Sequence, residues 1–238
     1  MSSETCLALL LDAPMQSWGH ASRFERRTTA LHPTRSGVFG LLTAARGIDK
    51  QGPDELKWLA RLTPLRVTTV TLPRRDRGGG ELHIRRLEDY HTVTGIRRAS
   101  GKVDDDATVQ TYRHYLLDAR FGVLIEGPPA LLEEIAAALR DPKWGVWLGR
   151  KCCLPATPVL ATPPGQRSET WRVLLQRAGY AGSEKEEQFD RIVEVGAQAS
   201  GADMIDDTPL GYGQPIGERH APRWIHRVPK SALVNPKS

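Results

Sequence analysis

Leu117–Arg140 reads LDARFGVLIEGPPALLEEIAAALR, and a change of period inside it sets the fold class. In the first part Leu117, Ala119, Phe121, Val123 and Ile125 put an apolar side chain on every second position, which is the period of a β-strand. After Gly127 the pair Pro128-Pro129 presets the backbone for a helix start. Leu131, Leu132, Ile135, Ala136 and Leu139 then recur at helical spacing, and Pro142 closes the helix.

Upstream, Leu65–Leu72 is β-branched and roughly alternating, a second strand. A short helix is predicted after Pro53, with Leu56, Leu59 and Ala60 inward and Pro64 at its end. Before it, Thr34-Arg35-Ser36-Gly37 leads into Val38, Leu41, Leu42 and Ala45, which share one helical face and stop at Gly47. Cys6–Leu11 is a continuous apolar run ended by Asp12-Ala13-Pro14, as expected of a strand buried on both faces. The order is strand, helix, strand, insertion, strand, helix. That is most of a split βαβ unit, so the expected fold class is α+β and ferredoxin-like, the RRM-like βαββαβ arrangement.

The insertion, residues 73–114, is about 42 residues long, far beyond an ordinary hairpin loop. Between Pro73 and Ser100 it holds seven Arg against four acidic residues, with Gly78-Gly79-Gly80 as a turn, and it is expected to form an extended basic hairpin. Downstream the pattern weakens. Thr170–Gln176 resembles a strand, Ser183–Val195 an exposed or amphipathic helix, and the last 20 residues a basic, Pro-rich tail. The predicted organisation is a body over residues 1–160 and a less regular C-terminal part over residues 161–238.

Composition narrows the function classes. The formal net charge of +5 favours an anionic partner such as nucleic acid. The three cysteines, Cys6 and the adjacent Cys152 and Cys153, fit neither a CxxC zinc site nor a disulfide framework, which points to a reducing, cytoplasmic setting. No stretch approaches the roughly 20 apolar residues of a membrane span, and the run after Glu4 lacks the basic flank of a signal peptide. No Walker or dinucleotide motif is present, so no nucleotide cofactor or other small-molecule ligand is expected. Asp104-Asp105-Asp106 reads as a solvated turn, because three consecutive carboxylates on a strand cannot face one metal ion.

Three short stretches, and the insertion besides, have the chemistry to grip an anion. The loop Gln16-Ser17-Trp18 leaves the first strand, and Thr34-Arg35-Ser36-Gly37 enters the first helix. A helix N-terminus offers unpaired N–H groups and a partial positive charge to a phosphate. The alternative is structural: Thr34 or Ser36 caps the helix, Gly37 relieves a clash, and Trp18 anchors the core. The third stretch, Trp144–Lys151, combines two Trp and two Gly with Arg150 and Lys151; Gly149-Arg150-Lys151 would contact phosphate, or the tryptophans would complete the core. On the insertion, Arg74, Arg75, Arg77, Arg85, Arg86, Arg97 and Arg98 interleave with Tyr90, His91, Tyr112 and His114, a mixture of phosphate binders and base-stacking rings suited to single-stranded RNA. Read otherwise, it is a solvated charged loop. His20, His32, His83, His91, His114 and Tyr112 would be the acid–base candidates of a metal-independent endoribonuclease, an alternative that scattered histidines support weakly.

Five blocks in order, LLLDAPMQSWG, HPTRSGVFGLLTAARGI, DYHTV, YRHYLLDARFGVLIEG and GVWLGRKCCLPATPV, resemble the E-subtype branch of CRISPR-associated protein family five, subunits of type I-E Cascade within the RAMP superfamily. The matching blocks span about residues 5–160. The resemblance implies a ferredoxin-like body whose insertion is a thumb, and a non-catalytic subunit that holds the 5′ handle of the CRISPR RNA (crRNA). It implies contacts with neighbouring backbone and large subunits, and only indirect contact with target DNA. By position, Gln16, Ser17, Trp18, Thr34, Arg35, Ser36, Gly37, Gly149, Arg150 and Lys151 would line the handle site. Relatives of another subtype cleave precursor RNA with a Tyr, Lys and His set, of which this sequence shows no clear copy.

Overall fold

The computed structural model describes residues 5–20, 25–97, 101, 103–213 and 219–231; the side chains of residues 103–107 are not described. Arg98 and the side chains of Asp104–Asp106, both singled out above, therefore lie outside the described residues.

Strand β1 (Thr5–Asp12) is the continuous apolar run. It pairs antiparallel with β5 (Arg120–Glu126), Leu9 opposite Val123, and on its other edge with β6 (Leu160–Gln166). Beyond β5 comes β2 (Arg66–Thr71), also antiparallel. These four strands lie in the order β6-β1-β5-β2, and the sheet continues through β7 (Arg191–Val195), β9 (His220–Val228) and β8 (Asp203–Pro209), giving seven strands. The whole is a mixed α/β protein with antiparallel sheets.

Both faces of the sheet are covered. On one, α1 (Arg35–Arg46), α2 (Glu55–Leu62) and α3 (Pro129–Arg140) bury Leu7, Leu9, Leu11, Phe121, Val123 and Ile125. On the other, α4 (Arg167–Arg177) and Phe189 cover Cys6, Ala8, Leu10, Val70 and Leu124. That double cover is why β1 is apolar throughout rather than alternating. Each fully buried Leu or Phe contributes about 1.5–3 kcal/mol by leaving water. Gly122 marks the close approach of α4 to the sheet, since a Cβ there would lie 2.7 Å from Leu174 Cδ2.

Helix α1 has the predicted limits. Thr34 Oγ1 accepts from the Gly37 N–H, and Gly47 (φ 73°) closes the C-terminus in the left-handed conformation. α2 forms where expected but turns a different face inward: Trp58, Leu59 and Leu62 are buried, whereas Leu56 is 50% exposed and Ala60 is exposed. Its apolar stripe starts two residues later than the sequence reading placed it.

The C-terminal third requires three corrections. Thr170–Gln176 lies within α4, not a strand, because Trp171, Leu174 and Leu175 share the face that docks on the sheet. Ser183–Val195 is no helix: it has one 3₁₀ turn (Glu186–Gln188), and then β7 pairs with both β2 and β9. The basic tail supplies β9 through Val228.

Within the insertion, β3 (Arg85–Arg97) and β4 (Val103–Leu117) form a long antiparallel hairpin with Tyr90 opposite Tyr112. The expected single hairpin is divided, because Arg74–Arg75 pairs separately with Glu81–Leu82. Among the described residues, no helix is long and apolar enough to cross a membrane.

Candidate nucleic-acid interface

The loop after β1 is locked from within. Gln16 is fully buried; its Nε2 donates to the carbonyls of Leu11 (3.0 Å) and Ala119 (2.7 Å), and its Oε1 accepts from Trp18 Nε1 (3.1 Å). Every strong hydrogen-bonding arm of Gln16 is thus spent on the fold. Trp18 is equally buried and seals Gly37, where a Cβ would lie 2.8 Å from the indole Cε3. Of the two readings of these residues, core anchor and clash relief describe the side chains. Ser17 donates from Oγ to the His114 carbonyl (3.2 Å) and from its N–H to the Leu148 carbonyl (3.1 Å), tying the loop to both the hairpin base and the Trp144–Lys151 segment.

Arg35 points inward. Its guanidinium pairs with Glu194 on β7, donates to the carbonyls of Thr63 (2.6 Å) and Leu65 (3.0 Å), and lies 4.7 Å from the Phe39 ring centroid. Arg223 on β9 bonds the same Glu194 (2.8 Å) and is bidentate to Asp207 on β8. Asp207 Oδ2 in turn accepts the Arg35 backbone N–H (2.8 Å). An internal carboxylate therefore occupies part of the helix N-terminus that the sequence offered to a phosphate. Arg35 remains at the predicted place in the chain, but its side chain is 5% exposed and engaged by protein.

What remains open is a cleft of about 780 Å³ at the head of α1. Ser17, Trp18, Thr34, Ser36, Gly37, Gly149 and Arg150 line it, so the three predicted stretches converge on one cavity. Gly149 (φ 98°) passes against the Ser17 carbonyl, where a Cβ would lie only 1.6 Å from the oxygen. Only glycine lets the two segments meet. Arg150 Nη1 donates to the His114 carbonyl (3.0 Å) and Nη2 to the Arg27 carbonyl (2.7 Å), while the guanidinium covers the Tyr115 ring at 4.6 Å. Lys151 is exposed beside the cleft, its ammonium 5.8 Å from the ring of Trp147, which lines it.

Sequence reading missed several wall residues: Arg27 and, from the C-terminal strands and their loops, Asp206, Tyr212, Arg219 and His220. The cluster Arg23, Arg26 and Arg27 in the polar stretch before α1 gave a signal for Arg27; the C-terminal group had none, because only strand pairing brings it here. Ser36 Oγ and His220 Nε2 share a hydrogen bond (3.0 Å), and Tyr212 donates its hydroxyl to the Ser36 carbonyl (2.8 Å). Burial holds the His220 imidazole below its ordinary range and pushes the Tyr212 phenol up.

The insertion cations divide by position. Arg74 pairs with Asp12 and donates to the Asp118 carbonyl, Arg75 covers Tyr180 at 5.0 Å, and Arg85 pairs with Asp118 (3.0 Å). Arg77 is exposed in the Gly-rich turn, and Arg86 and Arg97 are exposed on β3. His91 is half-buried opposite Thr111, and Tyr90 is 53% exposed.

Fold and cleft define a mixed α/β protein with a cation-bearing hollow where its first helix begins. The family model described as "CRISPR-associated protein (Cas_Cas5)" matches residues 6–222, and the chain belongs to that family. It is 35% identical over 172 residues to "CRISPR system Cascade subunit CasD" of Escherichia coli (strain K12), a match covering 71% of this chain and 75% of the relative. Among solved structures it resembles one described as "CRISPR RNA-guided surveillance complex" (30% identity, TM-score 0.69, 94% of this chain and 90% of the other). It also resembles one described as "Crystal structure of Cas protein" (28% identity, TM-score 0.57, 94% and 95%).

Proposed function

We propose that the chain is a non-catalytic RNA-binding subunit of a type I-E Cascade complex in antiviral defence, holding the 5′ handle of crRNA in the cleft at the head of α1. In this reading β1, α1, β2, β5, α3 and β6 are a ferredoxin-like body, in keeping with the order β6-β1-β5-β2. Residues 73–114 are the inserted thumb facing the backbone subunit, and the chain beyond β6 is the C-terminal extension.

One observation carries the proposal: segments separated by more than a hundred residues converge on one roomy cleft edged by Arg27 and Arg150. Hydroxyls, backbone N–H groups and guanidinium groups there can hold a phosphodiester strand without reacting with it. Buried Gln16, Trp18 and Arg35 shape the walls, and Ser36, Gly149, Arg150, Lys151 and Arg27 present polar surface.

Arg35→Glu is a poor probe, because it would break a buried ion network. Arg27→Glu combined with Lys151→Glu leaves that network untouched and should lower handle-RNA retention by the chain. Unchanged retention, in a pull-down with sequenced RNA and crosslink mapping, would reject the cleft as the site. The competing endoribonuclease reading has one favourable observation, the His220 imidazole, held below its ordinary range by burial, bonded to Ser36 in the cleft. Metal-free cleavage of labelled repeat RNA that vanishes in His220→Ala would establish it instead.

A further inference from the structure

The two faces of the β3–β4 hairpin differ in chemistry. Because side chains alternate along paired strands, Leu87 and Tyr115, and Val93 and Val109, stand opposite one another on one face. The other face carries Glu88 with His114, Tyr90 with Tyr112, Thr92 with Gln110 and Thr94 with Thr108. That second face has no aliphatic pair between positions 88 and 94 and holds an aromatic pair in its middle.

The aromatic pair is built into the fold. The rings of Tyr90 and Tyr112 lie 5.4 Å apart at 51°, and the Arg26 guanidinium lies 5.0 Å from the Tyr112 centroid. Arg26 reaches this point because residues 26–27 pair in parallel with Tyr112 and Arg113, and the Tyr112 N–H donates to the Glu25 carbonyl (2.9 Å). His114 Nε2 donates to Glu88 Oε2 (2.6 Å) one pair nearer the cleft. Tyr112 is half-covered, whereas Tyr90 keeps about half of its surface open.

This platform begins one residue from the cleft wall. Arg27 lines the cleft, Arg26 stacks beside Tyr112, and Arg150 joins the two regions by bonding both the Arg27 and His114 carbonyls. A strand leaving the cleft past Arg27 and Arg150 meets exposed guanidinium and then an open phenol ring. Single-stranded nucleic acid is bound by this alternation of cation and ring, whereas the face across the hairpin sets Asp89 with Arg113 and His91 with Thr111 between its two apolar pairs.

We propose that Tyr90, backed by Tyr112 and Arg26, is a stacking platform for one splayed nucleobase of the RNA held in the cleft, with Arg26 toward its phosphate. The inference rests on the function proposed above and adds a specific subsite to it.

The test uses the full chain and single-stranded RNA oligonucleotides carrying 2-aminopurine at successive positions, since stacking on an aromatic ring quenches that base. The wild type should quench one position selectively. Tyr90→Phe should preserve the quench; Tyr90→Leu, which keeps bulk without a ring, should abolish it and weaken binding about tenfold. Tyr90 is exposed on a regular strand, so unchanged thermal unfolding verifies that both variants fold. Arg27→Glu is the cleft control. If Arg27→Glu weakens binding while both Tyr90 variants behave as wild type, the platform is overturned and the cleft stands. If no oligonucleotide binds the wild type, cleft and platform fall together. If Tyr90→Leu leaves RNA untouched but impairs association with another protein subunit, the face is a protein contact and the inference is wrong.

Discussion

Gln16 and Arg35 lie in the two segments that carry the family resemblance, and both direct their side chains into the protein. Gln16 joins β1, the β4–β5 connection and the Trp18 indole through three hydrogen bonds. Gln16→Ala would strand two buried carbonyls and an indole N–H, and should cost about 3 kcal/mol in urea unfolding, since each unpaired buried group costs roughly 1–3 kcal/mol. Gly149→Ala should also be destabilising and should displace the cleft loop, because its Cβ would fall on the Ser17 carbonyl. His32 adds a pH response. Burial holds its pKa below the ordinary 6.5, against the opposing pull of the Pro33 carbonyl and Asp207, and Arg227 and Arg223 push it the same way as burial. The unfolded chain therefore takes up the proton first as pH falls. The stability owed to neutral His32 is complete above about pH 6.5 and is lost below it. Melting midpoints from pH 7.5 to 5.5 should fall less steeply in His32→Gln than in the wild type.

At the scale of elements, what was legible depended on whether neighbours in sequence are also neighbours in space. β1, α1, β2, β5 and α3 each announce themselves through their own period and caps. Misreadings occur where pairing partners are remote. Trp171, Leu174 and Leu175 follow helical spacing, but the Thr170–Gln176 window is short, and both periods fit so few apolar positions. Lys185–Gln188 favours a helix by composition, yet edge pairing of Arg191–Val195 with β2 prevails over local preference. The cleft's C-terminal wall was illegible for the same reason: Asp207, Tyr212 and His220 reach α1 only through a sheet built across more than a hundred residues. That connection is testable. Arg35, Arg223, Glu194 and Asp207 form one buried network joining α1 to β7, β8 and β9. Removing one partner leaves an uncompensated buried charge, so Glu194→Gln or Asp207→Asn should each lower stability by about 3–5 kcal/mol. In a double-mutant cycle, Glu194→Gln and Asp207→Asn should be non-additive, because both pair with Arg223.

For the whole molecule, net charge alone gives a misleading count of what RNA can feel. Arg35 and Arg223 sit at the head of α1 but are internally neutralised by Glu194 and Asp207, and Arg74 and Arg85 are paired at the hairpin base. Besides Arg219, the cations at the cleft with exposed or half-exposed side chains are Arg27 and Arg150 in its wall and Lys151 beside it. Each phosphate neutralised on a single strand contributes about 0.7 to the fall of log affinity with log salt concentration. If each of these three meets one phosphate, the slope should be about −2, and Arg27→Glu or Lys151→Glu should make it shallower by about 0.7. Titrating handle RNA at several salt concentrations separates this from a general charge effect. A substitution at an exposed cation on the opposite face of the sheet, such as Arg172→Glu on α4, should shift affinity little and leave the slope unchanged, because the Debye length of about 8 Å at physiological salt screens it from bound phosphates.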